Sequence, residues 1–420
     1  MTTILLMTNM YPPHHYGGYE LSCRDVVDRL RERGHEVTVL TTTTRVEGVV
    51  EQPDERALGV LRDLDFYWDD HKLVSPPLAK RLQIERHNQA VLRDALRRTQ
   101  PDVVAIWHMA AMSFGLLTTL DEAAVPLVYM VCADWLIYGP GLDPWARLFL
   151  GRPRIGKAVR RAAGVPTTLP DLPSTGSFCF VSAAVRRHVE GSTPWRFPES
   201  AVVYSGIDVA EFPARPDSGR QEWRWRLLYV GRIDARKGID AAIGALTLLP
   251  REATLEIVGR GDRRVLAELH DLVAKEGLGD RVFFQDAIER SALYRHYHAA
   301  DVVVFPPVWE EPFGLVPLEA MSCGTPVVAT CTGGSAEYLS SDVNCLCFPA
   351  GDRAGLAAAV KRLAHDAELR ARLVGGGLRT ADALDVDGLA DALEAWYVGA
   401  AQGFRNGRPP RRLPPLPGAT

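Results

Sequence analysis

An α/β fold built from two Rossmann-like parallel-sheet domains is predicted by three observations. Short apolar runs of strand length recur along the chain, separated by amphipathic stretches of helical period. This alternation begins at the amino terminus and starts afresh near Leu227. At 420 residues the chain is long enough for two cores of ordinary size. The domains are placed at 1–208 and 209–400; residues 401–420, ending in a proline- and arginine-rich stretch without apolar periodicity, read as a disordered tail.

In the first half, residues 4–8 make the opening strand and a glycine-bearing loop follows at 11–18. Leu21, Val26, Val27 and Leu30 mark one face of a helix ended by Gly34, with a second strand at 36–41. The loop has no Gly-x-Gly-x-x-Gly, which weighs against a dinucleotide cofactor. Gly17 and Gly18 either let backbone approach a ligand closely or only make a tight turn. Residues 45–76 are acidic, aperiodic and turn-rich, a surface loop ahead of an amphipathic helix at 78–98. Buried strands at 101–107 and 125–131 carry His108 and Asp134 just beyond their carboxyl ends, where open α/β sheets bind ligands. A histidine there serves a ligand or is a hydrogen-bonded structural residue. Arg147, Arg152, Arg154, Lys157, Arg160 and Arg161 form an acid-free basic cluster, fit for an anionic acceptor, for contact with a membrane surface, or simply for solvent. Strands at 177–182 and 201–204 close this half, and 215–221 have linker composition.

The second half repeats the pattern, with strands at 227–231, 255–261, 282–284, 301–306, 326–330 and 344–348. Helices fall at 239–249, 291–300, 335–339, 352–365 and 385–398. Pro317 is tolerated only in a helix's first turn, so one further helix starts near 314–316. Its amino end faces the ligand rim and suits an anion such as phosphate. Arg232 and Lys237 share one strand-to-helix loop at that rim. Alone they read as a solvated loop; opposite the helix start near Gly314 they read as a diphosphate clamp, a planar fork beside a point charge. Glu311 lies just before that helix and Glu319 about one turn in. Two carboxylates beside an anion site are costly unless they bind hydroxyls or a developing positive charge.

Composition limits the rest. A hydrophobic fraction of 47% and a charged fraction of 24% are those of a soluble globular protein. A net charge of −4 leaves no electrostatic footprint for nucleic acid. Seven cysteines, an odd number, argue against a disulfide framework or a zinc cluster, so reduced thiols and a cytoplasmic protein are expected. No apolar run approaches a membrane span, and the start lacks a basic leader and a cleavage site.

Glu311 and Glu319 are separated by seven residues, and the stretch from Glu311 to Thr330 closely resembles the Glu-x7-Glu signature of the family-4 retaining glycosyltransferases. Tyr11-Pro-Pro with Gly17-Gly18, Arg33-Gly-His-Glu-Val-Thr-Val39, Tyr204-Ser-Gly-Ile-Asp208, Val230-Gly-Arg-Ile-Asp with Lys237-Gly238, and Ile257-Val-Gly259 look like that family's landmarks in that family's order. The likeness covers nearly the whole chain, is specific for the family and is silent on the substrate. It implies a GT-B architecture, two Rossmann-like domains facing across a cleft, with the donor nucleotide held mostly by the second.

Carried over by position, the resemblance gives Glu319 the ribose hydroxyls and Arg232 and Lys237 the diphosphate. Backbone near Gly17 and Gly18 and at Phe313, Gly314 and Leu315 assists, and Ile288 lies near the base. Glu311 hydrogen-bonds the transferred sugar; with Asp134 and His108, placed by their position at the strand ends of the first half, it makes up the candidate catalytic set. The resemblance further implies a nucleoside diphosphate sugar as co-substrate, a hydroxyl-bearing acceptor, retention of the anomeric configuration, and neither metal nor other cofactor. One position departs: Cys132 stands where many members place a histidine near the donor sugar's sixth carbon, which points to a donor lacking the hydroxyl there. Two other readings stay open, another GT-B enzyme such as a phosphorylase or sugar-nucleotide epimerase, and a non-catalytic nucleotide-sugar-binding protein.

Overall fold

The computed structural model describes residues 1–50, 54–69, 72–215 and 222–405. Two compact units share the chain: Met1–Val203 together with the stretch from Leu389 onward, and Tyr204–Gly388. Each is built on one parallel sheet.

The first unit has seven strands, β1 (Thr3–Thr8), β2 (Glu36–Thr42), β3 (Val60–Leu64), β4 (Val103–His108), β5 (Leu127–Val131), β6 (Gly176–Phe180) and β7 (Ser200–Val202). They lie in the order β3-β2-β1-β4-β5-β6-β7, every pair parallel. Every residue of β4 and β5 is buried, which is why both read as unbroken apolar runs. Helices α1 (Gly18–Glu32), α2 (Leu78–Thr99), α3 (Trp135–Leu142) and α4 (Pro153–Ala163) accompany the sheet.

β3 falls inside the stretch predicted to be loop, and the short antiparallel pair Trp68–Asp69 and Lys72–Leu73 follows it. The strand is disguised by an inward-facing arginine. Val60 and Leu64 are buried, and Arg62 between them is buried too. Its guanidinium pairs with Glu55 at 2.7 Å and donates to the carbonyls of Tyr11 (2.8 Å) and Pro12 (2.7 Å). Charge at an inward position hides the period-two pattern, while the bonds that offset its burial tie down the glycine-bearing loop.

α2 brings a carboxylate into the core. Glu85 Oε1 accepts from the Tyr67 hydroxyl and from Ser113 Oγ, each at 2.8 Å. Burial, with the neighbouring Asp143 charge second, pushes the Glu85 carboxyl well above its ordinary range. The folded protein therefore holds this proton more tightly than the unfolded chain. The associated stability is full below the ordinary carboxyl range, near about 4, and is lost as pH rises through the raised folded value. A Glu85→Gln variant removes that titration. Its melting temperature relative to the parent should climb as pH increases from 4 to about 8; a difference that does not change with pH contradicts the assignment.

The second unit has six parallel strands, β8 (Arg226–Val230), β9 (Thr254–Val258), β10 (Val282–Gln285), β11 (Val302–Phe305), β12 (Val327–Ala329) and β13 (Leu346–Cys347), in the order β10-β9-β8-β11-β12-β13. Helices α5 (Ile239–Ala245), α6 (Arg290–Ala299), α7 (Val316–Ser322) and α8 (Ala367–Ala383) cover it, and α9 (Val386–Arg405) ends the described chain. In both sheets the strand order reverses beside the first strand, between β1 and β4 and between β8 and β11. Open sheets of this kind offer a ligand crevice at those points, outside the carboxyl ends.

α8 forms in spite of three consecutive glycines, Gly375 to Gly377, each of which disfavours a helix by roughly 1 kcal/mol. Packing requires two of them: a Cβ on Gly376 would sit 2.0 Å from the Val343 carbonyl oxygen, and one on Gly377 2.9 Å from Met321 of α7. The division between units falls at 203/204, and α9 from Leu389 belongs with the first unit rather than the second. Arg33 pairs with Asp391 and Glu394 at 2.8 Å each, and Trp107 Nε1 donates to the Tyr397 hydroxyl at 3.2 Å. Residues 401–405, expected in the tail, are helical; the rest of that tail and 216–221 of the linker lie outside the described residues.

The thiols are not all reduced, contrary to expectation. Cys331 and Cys347 are joined by a disulfide, and the other five cysteines are reduced. The register of β12 and β13 sets Ala329 opposite Cys347, so Cys331, two residues further on, meets it. Among the described residues no helix is long and apolar enough to cross a membrane. The basic cluster forms α4 and the turn before it; Arg160 pairs with Glu122, and Leu150 and Ile155 among the cations are exposed.

Candidate active site

In the second unit the chain leaves β8 at Gly231 and turns through Arg232 to Lys237 before α5. Asp234 caps this turn, its carboxylate accepting from the Arg236 backbone N–H at 3.0 Å. Bonds from the Arg236 side chain hold the Asp234 carboxyl far below its ordinary range. Gly238 is left-handed (φ 63°), and a Cβ there would lie 2.0 Å from the Pro306 carbonyl oxygen. Only glycine lets this loop lie against the exit of β11, where the Val308 N–H donates to the Arg236 carbonyl at 2.9 Å.

That approach joins two residues 74 positions apart. Lys237 Nζ donates to Glu311 Oε2 at 2.7 Å, and Trp309 Nε1 donates to the same oxygen at 2.9 Å. The pair is sheltered, with side chains 16% and 10% exposed. The Arg236 guanidinium lies 4.4 Å above the Trp309 ring, a cation–π contact that fixes the indole. Arg232 reaches Asp234 only at 3.6 Å and is exposed at the mouth of the loop. Behind Glu311, the Gly334 N–H donates to its carbonyl at 2.7 Å, and Thr332 Oγ1 donates to the Trp309 carbonyl at 2.9 Å. Gly333 (φ 59°) passes so close that a Cβ would be 2.4 Å from the Glu311 carbonyl oxygen.

Beyond Glu311 the chain runs straight into the helix the proline predicted, α7, starting at Val316. Gly314 packs beside the Glu311 side chain and under Phe305, and the Tyr338 hydroxyl donates to its carbonyl. Phe313 is buried between the rings of Tyr204 (5.8 Å) and Tyr338 (5.1 Å). Leu315 precedes the helix, and Glu319 in its first turn is buried with Oε2 accepting from the Tyr297 hydroxyl of α6 at 2.6 Å. Arg232, Lys237, Glu311, Phe313, Gly314, Leu315 and Glu319 thus gather around the exits of β8 and β11. Ile288 follows edge strand β10, two strands along the sheet from β8 and three from β11.

In the first unit the predicted residues also share one rim. Gly17 precedes α1 and Gly18 begins it; Glu20 turns back so that its carboxylate accepts the N–H groups of Tyr16 (3.3 Å) and Gly17 (3.1 Å). His108 ends β4, stacked on Tyr19 with ring centroids 4.6 Å apart. Its Nδ1 accepts from the Ala110 N–H at 3.3 Å, and burial pushes its pKa down to about 3, so the imidazole is neutral at physiological pH with its proton on Nε2. Asp134 precedes α3, half-buried and 3.8 Å from His188. Cys132 lies two residues earlier, its thiol pushed up by burial and uncharged.

Several members of the second-unit group were not found from sequence. Trp309 and Arg236 adjoin Glu311 and Lys237, so an aromatic and a second cation beside the named pair were the available signals. Tyr297 and Tyr338 gave none, since their partnerships with Glu319 and Gly314 exist only in the fold.

Two family models match, "Glycosyltransferase Family 4" over residues 16–211 and "Glycosyl transferases group 1" over 212–377. Glycogen synthase of Mycobacterium tuberculosis is 31% identical over 435 aligned positions, covering 98% of this chain and 97% of that protein. Among solved structures, sucrose-phosphate synthase from Thermosynechococcus elongatus superposes with a TM-score of 0.74 at 21% identity, over 97% of this chain and all of that one. Anabaena HepE, solved in complex with UDP-glucose, gives 0.66 at 21% identity over 97% of this chain and 100% of that one. At these identities the structural likeness is one of fold.

Proposed function

The chain belongs to the family-4 glycosyltransferases, the group 1 enzymes of GT-B fold, and we propose that it moves a sugar from a nucleoside diphosphate sugar to a hydroxyl acceptor, with retention and without a catalytic metal. The observation that carries the donor reading is the sheltered Lys237–Glu311 pair at 2.7 Å, set where the sheet order reverses. With a donor bound, phosphate oxygens take up the Lys237 and Arg232 charges. Glu311, still held by Trp309, is then free to accept a hydrogen bond from a hydroxyl of the sugar. Glu319 accepts the ribose hydroxyls, oriented by Tyr297.

As the glycosidic bond to the donor breaks, negative charge grows on the leaving diphosphate. A fixed ammonium and guanidinium offset it without reorganising; this is the ground for proposing that no metal is required. Retention goes with the family, in which the leaving phosphate is held to help deprotonate the acceptor on the same face. His108, being neutral, takes part through hydrogen bonding alone, alongside Asp134. Uridine diphosphate hexoses are the first donors to try, since HepE was solved with UDP-glucose. The uncharged Cys132 thiol makes sugars with and without a sixth-carbon hydroxyl the natural second comparison.

A thermal-shift series with nucleoside diphosphates and their sugars tests the donor reading, because a ligand that binds only the folded state raises the melting temperature. A Glu319→Gln variant should bind the nucleotide roughly 10- to 100-fold more weakly, the worth of hydrogen bonds to a charged group. A variant binding as tightly as the parent removes Glu319 from the ribose site.

A further inference from the structure

We propose that Cys331, Cys345 and Cys347 form a three-thiolate site for a thiophilic divalent cation of the zinc class once a dithiol reductant opens the Cys331–Cys347 bond. The three sulfurs lie within 4.8 Å of one another, the only such group of potential ligands among the described residues. Cys345 Sγ is 3.9 Å from Cys331 Sγ and 3.8 Å from Cys347 Sγ. A tetrahedral ion held by thiolates at about 2.3 Å sets its sulfurs about 3.8 Å apart. Two edges of such a triangular face therefore already have the required length, and only the bonded edge has to open.

Backbone supplies the geometry. Cys347 ends β13 and is locked to β12 by register, Cys345 is two residues earlier on the same extended run, and Cys331 follows β12. Cys345 stands almost equally far from both bonded sulfurs, beside the bond rather than beyond either end. That position favours a shared cation over thiol–disulfide exchange, in which the thiolate attacks one sulfur and expels the other. The balance is simple. The dithiol reductant gives two electrons and two protons, leaves as its own disulfide, and yields two cysteine thiols. With Cys345 these lose three protons to solvent as their sulfurs fill three of the ion's four positions, leaving the fourth for water.

The site lies against the segment that seats Glu311, since Thr332 and Gly334 next to Cys331 hold the backbone of Trp309 and Glu311. Disulfide and cation are thus alternative ties on one loop. Cation binding itself does not depend on the donor reading.

The full chain, reduced with a dithiol and freed of metal by chelation and desalting, is titrated with cadmium ion and followed by the ultraviolet thiolate-to-metal band. One cadmium per chain is expected for the reduced parent, and binding at least about 100-fold weaker for the disulfide form and for Cys345→Ser, beyond what loss of an outer-shell partner costs. Cys331→Ser gives the same test if circular dichroism shows Cys345→Ser unfolded. Cys179→Ala, in the first unit, should bind like the parent. A reduced parent that takes up no stoichiometric cadmium overturns the proposal, as does a folded Cys345→Ser or Cys331→Ser chain that binds as tightly as the parent.

Discussion

Glu311→Ala is expected to turn over a nucleotide sugar about 100- to 1,000-fold more slowly than the parent while still binding the nucleoside diphosphate. That is the range for removing one preorganised group whose interaction strengthens in the transition state. The carboxylate loses its place between Lys237 Nζ and Trp309 Nε1, both donating to one oxygen. The sugar loses its acceptor, but the cations that hold the diphosphate stay. The loss should therefore appear in kcat at saturating donor and leave the nucleotide-induced thermal shift largely intact. A variant whose kcat falls by less than about threefold, against the range above, removes Glu311 from the chemistry.

Lys237→Met should have the opposite signature. Taking away one partner of a buried ion pair costs about 3–5 kcal/mol, because the other charge is left uncompensated; here Glu311 would keep the indole N–H of Trp309 but no cation at that oxygen. The variant should lose melting temperature and, lacking the ammonium, bind the nucleoside diphosphate poorly. Adding Glu311→Gln to it should restore much of the melting temperature, since no buried charge is then left alone, yet activity should stay lost. Recovery of both stability and turnover in the double variant contradicts the assignment, as does a Lys237→Met protein of parental stability and donor affinity.

The parts of the fold legible in the sequence are those that local composition dictates. Fully buried strands such as β4 and β5 appear as apolar runs, Gly34 and Pro317 punctuate their helices, and the restart near Leu227 marks the second sheet. What stayed hidden depended on partners far along the chain. Arg62 reads as a surface charge until Glu55 and two loop carbonyls surround it. Gly376 and Gly377 read as helix breakers until Val343 and Met321 press against them. Cys331 and Cys347 become neighbours only through the register of β12 and β13.

The site divides the same way. Glu311 and Glu319 stand out by their spacing and by the proline-started helix between strands, and Arg232 and Lys237 by their place in one loop. Nothing local says that Lys237 and Glu311 touch. That contact depends on Gly238 passing over Pro306, a clearance of backbone against backbone with no signature beyond one glycine.

The most direct test of the central claim is calorimetric titration of the protein, in the presence of a metal chelator, with the nucleoside diphosphate that raises its melting temperature most and with the sugar of that nucleotide, parent beside Lys237→Met. The account predicts one nucleotide bound per parent chain, release of the free nucleoside diphosphate when a hydroxyl acceptor is supplied with its sugar, and binding sharply weakened in the variant. If the parent binds that nucleotide no better than Lys237→Met does, or binds it only when a divalent ion is returned, then the loop of Arg232 and Lys237 is not the clamp that holds the donor.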